Sequence, residues 1–90
     1  MRIVKLSKQF KREYEQAQKQ GKDINKLDIA IFSLAMEGYL PQGYKDHSLK
    51  GDLKGFRSCH IEPDWILIYA IDGENLYLSR TGTHSELYKK

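Results

Sequence analysis

The sequence has little of what marks several protein classes. Cys59 is the only cysteine in 90 residues, so no internal disulfide forms, and a reducing, cytoplasmic setting suits the chain best. The longest apolar run, Trp65 to Ile71, falls far short of the ~18–20 residues that cross a membrane as a helix, so no membrane partner is expected. The opening, MRIVKLSKQFKR, has no apolar core followed by small residues, so it does not read as a secretory signal. Repeats, low-complexity segments and linkers are missing, which predicts one domain over residues 1–90. No tight spacing of His and Cys appears, so neither a metal site nor another cofactor is expected.

What is present suffices for a small core, since 40% of the residues are apolar. The net charge is only +3, but residues 1 to 26 hold eight Lys/Arg against three Asp/Glu. Lys45, Lys50, Lys54 and Arg57 form a second basic stretch. Such patches favour polyanions or an acidic protein partner, or they simply keep a helix face solvated.

MRIVKL alternates and predicts a first strand packing Ile3, Val4 and Leu6. Ser7 is placed to cap a helix carrying Phe10, Tyr14 and Ala17 on one face, with Gly21 as its stop. Asp23 is placed to cap a second helix, whose stripe of Ile24, Leu27, Ile31 and Leu34 is widened by Phe32, Ala35 and Met36. Gly38 and Pro41 end it. So short a link makes a helix hairpin, and its apolar stripes need a sheet to cover. Residues 40 to 55 form a glycine-rich loop with a short strand near His47 to Lys50. Three strands follow over Phe56 to Ile61, Trp65 to Ile71 and Leu76 to Thr81, with turns at Pro63 and Asp72-Gly73. Thr83 and Glu86 have capping-box spacing for a final helical turn. The predicted class is α+β: an antiparallel sheet of about four strands, one face under the hairpin and the other open.

Up-and-down strand order brings His60, Asp64, Trp65, Arg80 and His84 to one rim, with His47 nearby on its loop. These residue types suit metal-free RNA cleavage. A base takes the proton of a 2′-hydroxyl, an acid protonates the 5′-oxygen leaving group, and a cation steadies the phosphorane. Histidine suits the proton work, arginine the phosphate, and an exposed indole would stack on a base. Each residue also has a plainer explanation. Trp65 packs in a core, Asp64 serves a turn, a histidine is a surface residue, and Arg80 pairs with Glu62 or Asp72. Tyr69 and Tyr77 pack across strands. Cys59 alternates with His60 and so points to the other face, as a buried thiol.

The segments YKDHSLKGDLKGFRSCHIEPDWILIYAI and LSRTGTHSEL resemble the YafQ group of bacterial toxins within the RelE/ParE superfamily. The specific marks are D-H-x-L-x-G, H-I-x-P-D-W and R-x-G-T-H-x-x-L, in that order and spacing. The resemblance implies a RelE-like fold and a small endoribonuclease that cuts mRNA in the A site of the 70S ribosome. A cognate antitoxin encoded beside it would hold it inactive. The resemblance places proton transfer on His47, His60, Asp64 and His84, phosphate stabilisation on Arg80, and Trp65 in the lining of the site. Tyr88 falls where a phenylalanine is expected, and Lys89-Lys90 would add positive charge nearby. Lys50 and Lys54 are the basic residues expected to hold substrate. Two other readings stand beside it: a ParE-like gyrase inhibitor, and a non-catalytic nucleic-acid-binding repressor subunit.

Overall fold

A computed structural model describes residues 1–88; Lys89 and Lys90 lie outside the described residues, so the added charge expected there is not placed. The elements run β1 (Ile3–Leu6), α1 (Lys8–Lys19), α2 (Ile24–Glu37), β2 (His47–Ser48), a 3₁₀ turn (Gly51–Leu53), β3 (Arg57–Glu62), β4 (Trp65–Asp72), β5 (Asn75–Gly82) and α3 (His84–Leu87).

Local chemistry accounts for most of the boundaries. Ser7 Oγ accepts from the Phe10 amide at 2.9 Å and donates to the Ser79 carbonyl at 2.7 Å, so one hydroxyl starts α1 and ties it to β5. Gly38 closes α2 in the left-handed region (φ 82°), its amide donating to the Leu34 carbonyl. Asp23 stands at the α2 N-cap, but its side chain makes no capping hydrogen bond. Pro63-Asp64 turns β3 into β4, and Gly73-Glu74 turns β4 into β5.

The helices lay Phe10, Ala17, Leu27, Ala30, Leu34 and Ala35 on one face of the sheet. That face presents Cys59, Ile61, Trp65, Leu67, Tyr69, Leu76 and Leu78, the set a two-residue period selects. Burial pushes the Cys59 thiol up to about 12, which makes it an inert core group.

The sheet is five-stranded and mixed, in the order β1-β5-β4-β3-β2. β1 runs parallel beside β5, joining the first strand to the last, while the other pairs are antiparallel as expected. β1 is an edge strand, and Ile3, Val4 and Leu6 stay exposed rather than packed. Phe32 and Met36 are also exposed, because α2 is apolar around much of its circumference and only Leu27, Ala30, Leu34 and Ala35 are buried. Among the described residues no helix is long and apolar enough to cross a membrane.

Trp65 requires a correction. It shares the helix-facing side with Leu67 and Tyr69 and is 1% exposed, so its indole is not free to stack on a base. The indole N–H donates to Thr81 Oγ1 at 2.9 Å, and that hydroxyl donates to the Ile66 carbonyl at 2.8 Å. The ring is core and its one polar atom is satisfied there. Trp65→Ala should therefore cost about 3–5 kcal/mol of folding stability. Thr81→Val, which strands the indole N–H, should cost about 1–3 kcal/mol. Denaturant unfolding reads both; a Trp65→Ala protein as stable as the wild type would put the indole outside the core.

Candidate active site on the sheet face opposite the helices

Cross-strand register builds the site. His47 of β2 stands opposite Ser58 of β3, Ser58 opposite Ile68 of β4, and Ile68 opposite Arg80 of β5. These four residues form one row on the face away from the helices. The adjoining row is His60, Ile66 and Gly82. Arg80 reaches this face only because the β4–β5 register shifts between Ile68 and Tyr69. Alternation from Leu76 and Leu78 alone would turn Arg80 into the core. The shift leaves Ser79 as the extra residue, sends Thr81 inward to Trp65 and turns Arg80 outward.

After Gly82 the chain enters α3 through a complete capping box. Thr83 Oγ1 accepts from the Glu86 amide at 3.2 Å, and Glu86 Oε1 accepts from the Thr83 amide at 2.9 Å. The box fixes His84 in the first turn, above the Pro63-Asp64 turn. Asp64 Oδ1 accepts from the His84 amide at 3.1 Å and lies 2.9 Å from His84 Nδ1. Those hydrogen bonds hold the Asp64 carboxyl below its usual range, first the ring contact and then the amide. An ionised carboxylate only accepts, so Nδ1 carries the proton and Nε2 is left for chemistry.

His60 meets His84 edge to face, with ring centroids 5.3 Å apart. Burial lowers the His60 pKa below its ordinary value, and the charges of His84, Lys45 and His47 push the same way; Asp64 opposes them. Tyr88 also neighbours His84, 6.1 Å between centroids, and its hydroxyl donates to Ser58 Oγ at 3.3 Å. The loop before β2 lies against β3, where the His60 amide donates to the Tyr44 carbonyl at 2.6 Å. Asp46, next to His47, accepts from Arg57 Nε at 2.9 Å and from the Tyr69 hydroxyl. His47 Nδ1 lies 2.9 Å from the Lys45 carbonyl, and its ring is exposed.

The structure thus gathers His60, Asp64, His84 and Tyr88, with His47 in the neighbouring row. Arg80 is on the right face, but it pairs with neither Glu62 nor Asp72. Its guanidinium is held by Glu13 of α1 through Nε, at 3.1 and 3.3 Å, and Nη2. Trp65 is buried in the core and borders the cavity beside Arg80 rather than standing exposed on the rim. Lys50 and Lys54 flank the 3₁₀ turn, both exposed and outside the cluster. Three contributors escaped sequence reasoning: Ser58, Asp46 and Glu13. Alternation with His60 could have found Ser58; nothing local in sequence marks the other two.

The His84 charge is among the causes that lower the His60 pKa, so His84→Ala should raise it. Asp64→Asn, which removes an opposing negative charge, should lower it further. Ring-proton NMR titration checks both signs; a His60 pKa unmoved by His84→Ala would mean that the two rings are not electrostatic neighbours in solution.

A family model described as "Bacterial toxin of type II toxin-antitoxin system, YafQ" matches residues 2–89. The mRNA interferase toxin YafQ of Escherichia coli (strain K12) is 44% identical over 88 residues, which cover 97% of this chain and 96% of that protein. A chain in the crystal structure of the E. coli DinJ-YafQ complex superposes with a TM-score of 0.91 at 44% identity, over 98% of this chain and 99% of that one. A metal-bound toxin from Helicobacter pylori gives a TM-score of 0.90 at 42% identity, over 98% of this chain and 100% of that one. Among the described residues no group of three His, Cys, Asp or Glu side chains is placed to hold a metal ion. The matched family spans all of the rim, from His47 to Tyr88, and the chain belongs to the YafQ family of bacterial toxins of type II toxin-antitoxin systems.

Proposed function

We propose that this chain is an mRNA interferase, an endoribonuclease that cuts mRNA in the A site of the translating 70S ribosome and is silenced by a cognate antitoxin encoded beside it. The carrying observation is the Asp64–His84–His60 cluster: a carboxylate fixes one imidazole, and a second imidazole stands 5.3 Å away with a lowered pKa. The names of its relatives, an mRNA interferase and a toxin in complex with DinJ, support the same reading. Acting on translated mRNA places the protein in the cytoplasm, and residues 1–90 act as one toxin domain.

Cleavage begins when the 2′-hydroxyl oxygen attacks the adjacent phosphorus. His60, neutral near pH 7 because of its lowered pKa, takes the hydroxyl proton, and His47 from the next row shares that work. His84, in its protonated form, gives the Nε2 proton to the departing 5′-oxygen. Asp64 holds the Nδ1–H and so sets ring orientation and tautomer, a part analogous to the carboxylate of a catalytic triad. Arg80 meets the charge on the phosphorane. Tyr88 confines the His84 ring by packing and by its hydroxyl on Ser58. The products carry a 2′,3′-cyclic phosphate and a 5′-hydroxyl. Proton transfer by side chains accounts for every step, so no metal step is invoked. Trp65 supports the rim from the core side and takes no part in stacking. A gyrase inhibitor or a silent repressor subunit would have no use for this set of titratable groups.

Primer extension on mRNA from cells after brief induction should find discrete cuts with the wild-type chain, none when the neighbouring antitoxin is co-expressed, and few with His84→Ala. Single-turnover cleavage on programmed ribosomes should drop ~10²–10⁴-fold at saturation for His84→Ala, while the complex still forms. A His84→Ala protein cutting at the wild-type saturated rate refutes the acid assignment. Loss of cleavage on selective chelation of transition metals, reversed by zinc, refutes the metal-free chemistry.

Lys50 and Lys54 are proposed to hold the RNA backbone during docking. Neutralising both should weaken ribosome binding and flatten its salt dependence, with cleavage in the bound complex unchanged. Binding measured across a salt series decides this, and an unchanged slope would leave the two lysines as solvated surface.

A further inference from the structure

β1 pairs with β5 only from Asn75 to Leu78, so the edge of β5 beyond that point has no strand beside it. Helix α1 closes this edge. The Ser7 amide donates to the Leu78 carbonyl, the Ser7 hydroxyl donates to the Ser79 carbonyl, and Glu13 Oε1 accepts from the Thr81 amide at 3.1 Å. The same Glu13 carboxylate grips Arg80 through Nε and Nη2. The Glu13 side chain is only 10% exposed, against 34% for Arg80, so the carboxylate is the fixed half of the pair and the guanidinium its outward half. Gln9 Nε2 adds a third donor to Glu13 Oε2 at 3.3 Å. Beside the pair lies a cavity of about 180 Å³, lined in part by Gln16, Lys22, Gly82 and Glu86. Arg80 lines this cavity, and its backbone position lies in the row that contains His47 and Ser58.

An arginine side chain has many rotamers, and a free one meets a phosphate only part of the time. A carboxylate on Nε and Nη2 removes that freedom and leaves the Nη1 edge for another anion. We propose that Glu13 is a positioning residue for the cleavage reaction: from α1 it holds the Arg80 guanidinium so that the unused Nη1 edge meets the scissile phosphate. The proposal rests on the nuclease reading above. Glu13 touches no substrate and acts only through Arg80.

Four proteins test it on programmed ribosomes under single-turnover conditions: wild type, Glu13→Gln, Arg80→Ala and the double variant. Glu13→Gln keeps an oxygen for the Thr81 amide and removes the charge. It should lower the saturated rate roughly ten- to a hundredfold, the scale of a misplaced catalytic group, with half-saturation unchanged. In the Arg80→Ala background the same substitution should change nothing further. Equal losses in both backgrounds would reduce Glu13 to a cap on the strand edge and overturn the proposal, as would a wild-type rate. A faster Glu13→Gln enzyme would show the carboxylate competing with the phosphate, which also overturns it. Independently of any variant's folding, the Arg80 Nε–H in the free wild-type protein should exchange with solvent far more slowly than that of an unpaired arginine, and fast exchange overturns the clamp. If Arg80→Ala cuts at the wild-type rate, the role of Arg80 fails and the proposal with it. If the wild type cuts no programmed ribosome, the nuclease reading itself falls, even where slow Nε–H exchange upholds the clamp.

Discussion

One register shift decides what the two faces of the sheet contain. Upstream of it, Leu76 and Leu78 of β5 face the helices; downstream, Thr81 does. Without the extra residue at Ser79, Arg80 would carry a guanidinium into the core, a burial that is costly without a partner. With it, Thr81 moves inward to receive the Trp65 indole, and Arg80 comes out in line with His47. The strand then ends with Gly82 in the row of His60, which is where α3 must begin for His84 to meet Asp64. Core packing and the candidate site are therefore settled by the same residue, and a change that removed the bulge would upset both.

Around that frame the electrostatics are set by who is buried and who is not. His60 is half-buried among positive neighbours, so folding lowers its pKa. The unfolded chain then binds the His60 proton more tightly than the folded one. The contribution to stability is fully present above the ordinary histidine value near 6.5 and is lost as pH falls toward the folded value. A His60 ring kept neutral near pH 7 thus comes with a protein less stable in acid. Glu13 carries the opposite partnership. Burial alone would raise its pKa, but hydrogen bonds from Arg80, Thr81 and Gln9 outweigh that and lower it, so the clamp on Arg80 stays charged.

Much of this was legible in the sequence because its causes are local. Ser7 caps α1, Thr83 and Glu86 form their capping box, and the short turns, expected at Pro63 and Asp72-Gly73 and found at Pro63-Asp64 and Gly73-Glu74, make antiparallel ladders whose ends share a rim. The convergence of His60, Asp64 and His84 follows from those turns. The illegible parts depend on partners far along the chain. β1 finds β5 across almost the whole sequence, and no local pattern announces a parallel edge strand. Arg80 and Glu13 are 67 residues apart, and only the packing of α1 on the uncovered end of β5 brings them together. Trp65 misleads for another reason. Its polar neighbours, Glu62 at the end of β3 and Asp64 in the turn, suggest a surface rim, whereas the alternation beginning at Trp65 itself already belongs to the core face.

The Asp64–His84 pair shows how little the site depends on the strength of its own contacts. Its side chains are 68% and 52% exposed, and an ion pair so open to water contributes little to stability. The pair cannot be what holds the rim together. Order comes from below: a two-residue turn places Asp64, a capping box places His84, and the ladder from Trp65 to Gly82 fixes the distance between those supports. The hydrogen bonds between Asp64 and His84 then need only choose a tautomer and a ring orientation. An exposed site supported in this way stays open to a substrate as large as the one proposed for it, while its geometry is kept by a sheet that such a substrate never needs to enter.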